Sequence, residues 1–352
     1  TGFTSTYANV GQTSNKGIEI ALQGVLVKTR DWNVTAGFNI NFNRGKVDKL
    51  ADNVTGLYGT EWATSSTFPK SDYVLKEGRP VGLVRGLTAD GFYTTDDFTY
   101  ENGVYTLKEG VADVSSAVFP NYHLHNGMNE RPAGQLAYPG MAKFKDLNDD
   151  GIINDDDVDV IGDMTPVHTG GFNINATYKN FDLGLYFNWS YGNEIYNVNK
   201  LAALYGYKEG AVYENKLSIV KDCYKIYDVV NGELVALTTP EQLNAANANA
   251  KLPLAYSENG YVSTLGIEDG SYLRLNTLTL GYTLPKSMLQ KAGISNLRVY
   301  GSIYNVFTIT GYSGIDAEVS TSTSTKTYPQ LGMDWGTYPR ARSFVLGVNL
   351  SF

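Results

Sequence analysis

Several stretches of the chain alternate apolar and polar residues with a period of two. Residues 32–43 place Val34, Ala36, Phe38, Ile40 and Phe42 on one face, and Asn33, Thr35, Gly37, Asn39, Asn41 and Asn43 on the other. Residues 172–178 set Phe172, Ile174, Ala176 and Tyr178 against Asn173, Asn175 and Thr177. Residues 181–191 set Phe181, Leu183, Leu185, Phe187, Trp189 and Tyr191 against Asp182, Gly184, Tyr186, Asn188 and Ser190. The closing stretch sets Phe344, Leu346, Val348, Leu350 and Phe352 against Ser343, Val345, Gly347, Asn349 and Ser351. Successive side chains of a strand point to opposite faces, so each stretch predicts a strand with one apolar and one polar side. Weaker patterns at 18–28, 272–284 and 297–310 bring the expected total to seven strands. In 272–284 the apolar face is Leu278, Leu280 and Tyr282.

The stronger strands have roughly the 9–11 residues needed to cross a bilayer at a tilt. A soluble sandwich alternates too. Two details favour a membrane. The polar face carries Asn, Ser, Thr and Gly rather than Lys and Glu, and the aromatics Trp32, Tyr178, Phe181 and Tyr191 stand near strand ends, as in an interfacial girdle. Connections are short at 29–31 and 179–180 and long at 48–165, 192–271 and 311–342, the asymmetry of an outer-membrane barrel. A periplasmic end at Phe352 makes every short turn periplasmic and every long loop extracellular. Residues 80–93 look strand-like, but counting them as a crossing breaks this order, so they are assigned to the excursion 48–165. The expected fold is all-β: an antiparallel transmembrane β-barrel segment. Single-chain bacterial barrels have even strand numbers, and plugged transporters have about 22 strands. The expectation is therefore that this chain is the C-terminal portion of one larger barrel.

Composition agrees. Of the 352 residues, 18% are charged, below the ~25% usual in soluble domains. A net charge of −8 with no basic cluster argues against a nucleic-acid partner. Cys223 is alone, so it forms no disulfide within the chain and is assigned a structural role. No run of eighteen apolar residues marks a transmembrane helix, and no signal peptide stands at Thr1. No G-x-S-x-G, H-E-x-x-H, Walker or G-x-G-x-x-G motif is present, so catalysis is not expected.

Several motifs in order resemble one family. They are Asn15-Lys16-Gly17-Ile18-Glu19; Arg79-Pro80-Val81-Gly82 with Gly86 and Ala89-Asp90-Gly91-Phe92; and Pro139-Gly140 with Lys143-Phe144-Lys145-Asp146 and Val160-Ile161-Gly162. The stretch S-Y-L-R-L-N-T-L-T-L-G-Y-T-L-P over 271–285 is the most distinctive. Leu297-Arg298-Val299-Tyr300, Asn305-Val306-Phe307-Thr308, Gly311-Tyr312-Ser313-Gly314-Ile315-Asp316 and Tyr338-Pro339-Arg340-Ala341-Arg342-Ser343-Phe344 follow. Together they resemble the C-terminal region of SusC/RagA-like TonB-dependent transporters of Bacteroidetes outer membranes. The family's plug, N-terminal extension and TonB-contacting segment have no counterpart here. The resemblance implies TonB-dependent nutrient import across the outer membrane, with oligosaccharide or peptide as cargo. It also implies a SusD-like surface lipoprotein as lid, TonB acting on the missing N-terminal part, and Phe352 as the barrel-assembly signal.

The sharpest local motif is D-L-N-D-D-G-I-I-N-D-D-D over 146–157. Asp146, Asn148 and Asp150 hold positions 1, 3 and 5 of a calcium loop, Gly151 supplies the sharp turn, Ile152 the backbone carbonyl, and Asp157 stands where Glu usually closes the site. Such a sequence is also an ordinary Asp/Asn-rich turn. The expected ligand is a structural Ca²⁺. Substrate-contacting candidates are Tyr122, His123 and His125, the lumen-facing Asn39 and Asn41, and Trp335, whose ring can stack on a sugar face. Residues 321–327 read as a flexible loop tip, 241–250 as a short helix, and 285–296 as a linker with one helical turn. The alternative to the transporter is a secreted calcium-binding, β-rich, glycan-binding adhesin, for which a structure would show two packed sheets.

Overall fold

Seven long strands pair in chain order into one antiparallel sheet. They are β1 (Gly11–Lys28), β2 (Trp32–Leu50), β3 (His168–Tyr178), β4 (Phe181–Tyr191), β5 (Tyr272–Thr283), β6 (Asn296–Thr310) and β7 (Ser343–Ser351). The structure is a computed structural model and describes residues 11–63, 67–119, 131–205, 215–255, 260–290, 293–321 and 331–352. The register carries the sequence alternation across the whole sheet. Phe38 faces Phe172, which faces Phe187; Leu185 faces Leu278, which faces Ile303, which faces Phe344. One face is thus continuously apolar. It is also uncovered: Leu22, Phe344 and Leu346 are 65%, 72% and 88% exposed. The strands do not form two packed sheets.

Short connections gather at one rim. Lys28 and Trp32 flank the first turn, Tyr178 and Phe181 the second, and α3 (Lys286–Leu289) fills the third as the expected helical turn. Aromatic pairs mark this rim: Trp32 with Tyr178 at 4.4 Å between ring centroids, and Phe181 with Tyr282 at 4.7 Å.

The first hairpin is longer than expected at its open end, in both strands. β1 begins at Gly11 rather than Ile18, and β2 runs to Leu50 rather than Asn43. The extension has no apolar alternation, so periodicity could not mark it. It is held by the backbone ladder, with Gly11 opposite Leu50, and by the loop beyond, where Val47 N donates to Arg79 O at 2.9 Å and Gly78 N to Val47 O at 2.7 Å. The first long excursion consequently begins after Leu50 and ends before His168, not at 48 and 165. The strand-like residues 80–93 supply Leu83–Gly86 and Ala89–Phe92 to two small separate sheets and take no part in the large one.

The three long excursions fuse into one loop unit at the opposite rim. Its core buries Phe68, Tyr93, Tyr105 and Tyr138 from the first, Tyr196, Leu201, Leu243 and Tyr261 from the second, and Met333 from the third. Parallel bridges tie Phe68 to Tyr261 and Leu87 to Ser263, and a small sheet orders Ile267–Asp269, Glu194–Asn197 and Met333–Asp334 side by side. The helix α1 (Val198–Tyr205) packs into this core, and α2 (Pro240–Asn247) forms where a short helix is expected. Thr239 caps α2 reciprocally with Gln242. Cys223 is buried here, and burial pushes its thiol pKa up to about 11, the state of an inert structural cysteine.

Gly86, one of the motif glycines, sits against a backbone. A Cβ there would lie 2.3 Å from Val262 O and 2.8 Å from Val262 C. No side-chain rotation relieves a backbone collision. Gly86→Ala is expected to destabilise the loop unit by about 1–3 kcal/mol, the usual cost of overpacking. Limited proteolysis of the folded protein should show faster cleavage within 51–167, while the wall strands stay protected.

Candidate functional site

The polar face of the sheet carries Asn39 and Asn41 on β2, as periodicity places them. Asn39 stands opposite Ala21 and Gly171, Asn41 opposite Glu19 and Thr169. Beside them Asn175 Nδ2 donates to Asn173 Oδ1 at 3.1 Å, and Tyr186 Oη donates to Asn175 Oδ1 at 3.2 Å. The amides bond to one another along the wall as well as facing open space. Nearer the short-turn rim, Arg298 makes a bidentate pair with Asp182: Nε to Oδ1 at 2.8 Å and Nη2 to Oδ2 at 2.5 Å. Gly281 leaves room for it, since a Cβ there would collide with both side chains. Motif position 281 is therefore a glycine for a close approach rather than for a turn.

At the long-loop rim the same face carries a charged cluster that alternation did not reveal. An irregularity between Leu275 and Thr277 shifts the pairing with both β4 and β6. Such bulges re-aim side chains. Arg274 then lies opposite Asn188 and Thr308. Its Nε donates to Thr308 Oγ1 at 3.0 Å, its Nη1 to Glu318 Oε2 at 3.1 Å, and its Nη2 to Asp316. Arg340 joins from the far end of the third excursion, through Nε to Asp316 Oδ2 at 3.2 Å and Nη1 to Glu318 Oε2 at 2.8 Å. Opposite this irregularity on β6, Asn305, with φ 53°, donates its side-chain amide to Arg340 O at 3.1 Å. Asn276 Nδ2 donates to Asn188 Oδ1 at 2.5 Å, and Asn188 Nδ2 donates to Tyr272 Oη at 3.1 Å.

Trp335 lies in the loop unit, half exposed, beside a cavity of about 340 Å³ lined by Asn199, Ala202, Ala203, Asn215, Lys216 and Leu217. Asn199 fixes the turn that presents it. Its Nδ2 donates to Asp334 O at 3.2 Å and Asp334 Oδ1 at 3.1 Å, and its Oδ1 accepts from Gly336 N at 3.0 Å. Asp334 also accepts from Tyr312 Oη at 2.6 Å; burial and this carboxylate push the tyrosine pKa far up, so Tyr312 stays a donor. Tyr122, His123 and His125 lie outside the described residues.

In the loop 146–157, Asp146 accepts from Gly151 N at 2.6 Å, Asp150 from Ile152 N at 2.9 Å, and the fully buried Asp157 from Leu147 N and Asn154 N, both at 2.7 Å. Asn148 accepts from Asp150 N at 3.2 Å, and Ile152 O accepts from Asn154 Nδ2 at 3.2 Å. Asp157 thus closes the loop from position 12 with both carboxylate oxygens. Residues Asp155–Asp157 add a single 3₁₀ turn. Among the described residues, no group of three or more His, Cys, Asp or Glu side chains is close enough together to hold a metal. The donors are all oxygen, the type Ca²⁺ takes, and in this arrangement they accept from N–H groups of the loop itself.

Asn199→Ala removes all three bonds that fix the Trp335 turn. The turn should loosen by about 1 kcal/mol, because Asp334 is buried but keeps Thr337 as a donor while Gly336 N is open to water. Trp335 fluorescence should shift to the red and become more accessible to iodide, with the wall unaffected.

Comparison with known proteins places this architecture. No family model matches the chain. TonB-dependent receptor P3 of Formosa agariphila is 29% identical over 356 aligned positions, covering 100% of this chain and 30% of that protein. TonB-dependent receptor SusC of Bacteroides thetaiotaomicron is 26% identical, covering 98% of this chain and 27% of that protein. Among solved structures, the RagAB peptide importer in its closed-closed state superposes with a TM-score of 0.65 at 22% identity, over 100% of this chain and 31% of that one. The chain therefore spans about 30% of the length of the relatives it matches. In sequence the chain is thus similar to about the same share of several TonB-dependent receptors, and in fold to the matching part of the RagAB importer.

Proposed function

We propose that the seven-strand sheet is part of the wall of an outer-membrane importer, within a barrel of about 22 strands. The observation that carries this reading is the continuous apolar face, left uncovered, on the back of a continuous polar one. In water such a face would be a severe liability; in a bilayer it is the required surface. The short-turn rim is then periplasmic, the fused loop unit extracellular, and Phe352, 87% exposed beyond β7, the barrel-assembly signal. The cargo is a nutrient, an oligosaccharide or a peptide. Asn39, Asn41 and Trp335 are candidate contacts, together with Tyr122, His123 and His125. A SusD-like lipoprotein covers the loop unit, and TonB supplies the energy. The likeness to TonB-dependent receptor SusC supports the part given to TonB, and the likeness to the RagAB peptide importer supports a peptide as cargo.

The protein should fractionate with the outer membrane and need detergent for extraction; recovery in detergent-free solution would refute the reading. Leu185 pairs with Ile174 and Leu278 in mid-sheet on the apolar face. Leu185→Lys should lose about 2–4 kcal/mol of assembly free energy, the cost of a Lys near the bilayer midplane. Its neighbour Tyr186, on the polar face, should tolerate Lys with unchanged assembly, read as heat-modifiable mobility on a gel.

The loop 146–157 is proposed to hold a structural Ca²⁺ through Asp146, Asn148, Asp150, the Ile152 carbonyl and Asp157. Chelation should expose this loop to protease, and Asp150→Ala should do so even in excess calcium. Equal cleavage with and without chelator would count against the metal.

A further inference from the structure

The charged cluster at the long-loop rim combines one enclosed anion and one accessible anion on the same two cations. We propose that Arg274 and Arg340 form a carboxylate-binding subsite for cargo, with Glu318 as its built-in occupant; the inference rests on the import reading above. The Arg274 side chain is 3% exposed. A guanidinium so enclosed is strongly destabilising without an anion beside it. Asp316, 6% exposed, meets this need, and it also reaches Arg340. Glu318 bridges the same two guanidinia through a single oxygen, Oε2, yet is 39% exposed, and Arg340 is 48% exposed.

The two acids therefore differ in role. Asp316 is the permanent counter-ion, tied on both sides and closed to solvent. Glu318 can swing out and leave Arg274 still paired. Two cations and two anions balance; with Glu318 gone, one positive charge is open at the edge of the polar wall. A guanidinium presents parallel N–H donors that match a carboxylate's two oxygens, so an incoming carboxylate replaces Glu318 in kind. Asn188, Asn276 and Tyr272 flank Arg274 on the same face and offer amide and hydroxyl groups to the rest of the ligand. The ligand class is thus a chain bearing a free carboxylate: a peptide C-terminus or a uronic acid.

The test uses the intact receptor purified from the outer membrane in detergent, with two matched pairs of probes. One pair is penta-alanine with a free carboxylate and its C-terminal amide; the other is trigalacturonate and maltotriose. Calorimetry should show tighter binding of the acid than of its neutral match in at least one pair, and which pair responds identifies the source of the carboxylate. Glu318→Gln, near-isosteric and part-exposed, should tighten the acid about tenfold, the scale of one charge-assisted hydrogen bond, and leave the neutral probe unchanged. Arg340→Gln should abolish the preference, and Arg340→Lys should retain part of it. If Glu318→Gln leaves the acid-to-neutral ratio unchanged or lowers it, Glu318 only ties down a loop and the subsite is refuted. Absence of a preference in every variant refutes it as well. A receptor absent from the outer membrane refutes the import reading instead, which separates the two failures.

Discussion

Every feature of this protein depends on a backbone constraint. Within a strand each N–H and C=O points sideways, so it must find a partner on a neighbouring strand, while side chains are left to alternate between two faces. Pairing in chain order from β1 to β7 satisfies the sideways groups between neighbours. It also forces each strand's alternation into register with the next. A one-residue slip would send Leu185 to the polar side and Tyr186 to the apolar side, so the pattern itself locks the register. The result is a sheet with two incompatible solvents, one on each face.

That division determines where chemistry can reside. The polar face carries Arg298 with Asp182 near one rim and the Arg274 cluster near the other. The connections follow the same logic. At one rim two connections turn within a few residues, framed by aromatic pairs, and a third holds α3. At the other the chain makes three excursions that share one buried core, built from tyrosines of the first two and Met333 of the third. Asp72 shows how far the loop unit is organised as a folded body. It is fully buried and accepts from Glu61 N at 2.8 Å, Trp62 N at 2.9 Å and Ala63 N at 3.1 Å. Desolvation raises its pKa despite these bonds. A carboxyl with a raised folded pKa favours the fold toward acid, and that contribution is lost as pH rises through its folded value.

Long-range side-chain bonds tie the third excursion to the rest of the protein, both at the wall and within the loop unit. Arg274 links β5 to Asp316 and Glu318 across 42 and 44 residues of sequence. Asn199 links α1 to the turn carrying Trp335 across 135 residues. Both joints bring the third excursion against elements from elsewhere in the chain, and both place an exposed group, Arg340 or Trp335, beside a buried anchor.

By itself, the sequence determined the seven long strands, which face of each is apolar, the short and long connections, and helical turns within 241–250 and 285–296. These follow from local periodicity and turn chemistry, which act over a few residues. It also showed the Asp-rich loop, whose hydrogen bonds close within twelve positions. The tertiary structure alone decided the rest. It extended β1 and β2 through polar stretches, where only the partner strand's backbone holds them. It fused three loops into one core and gave Gly86 and Gly281 their reasons, the Val262 backbone and the Asp182–Arg298 pair. It also assembled Arg274, Asp316, Glu318 and Arg340, of which the sequence displayed only an arginine in a strand motif and three charges in a loop. Long-range contacts leave no periodic trace, because the residues that meet are chosen by strand pairing and bulges rather than by spacing along the chain.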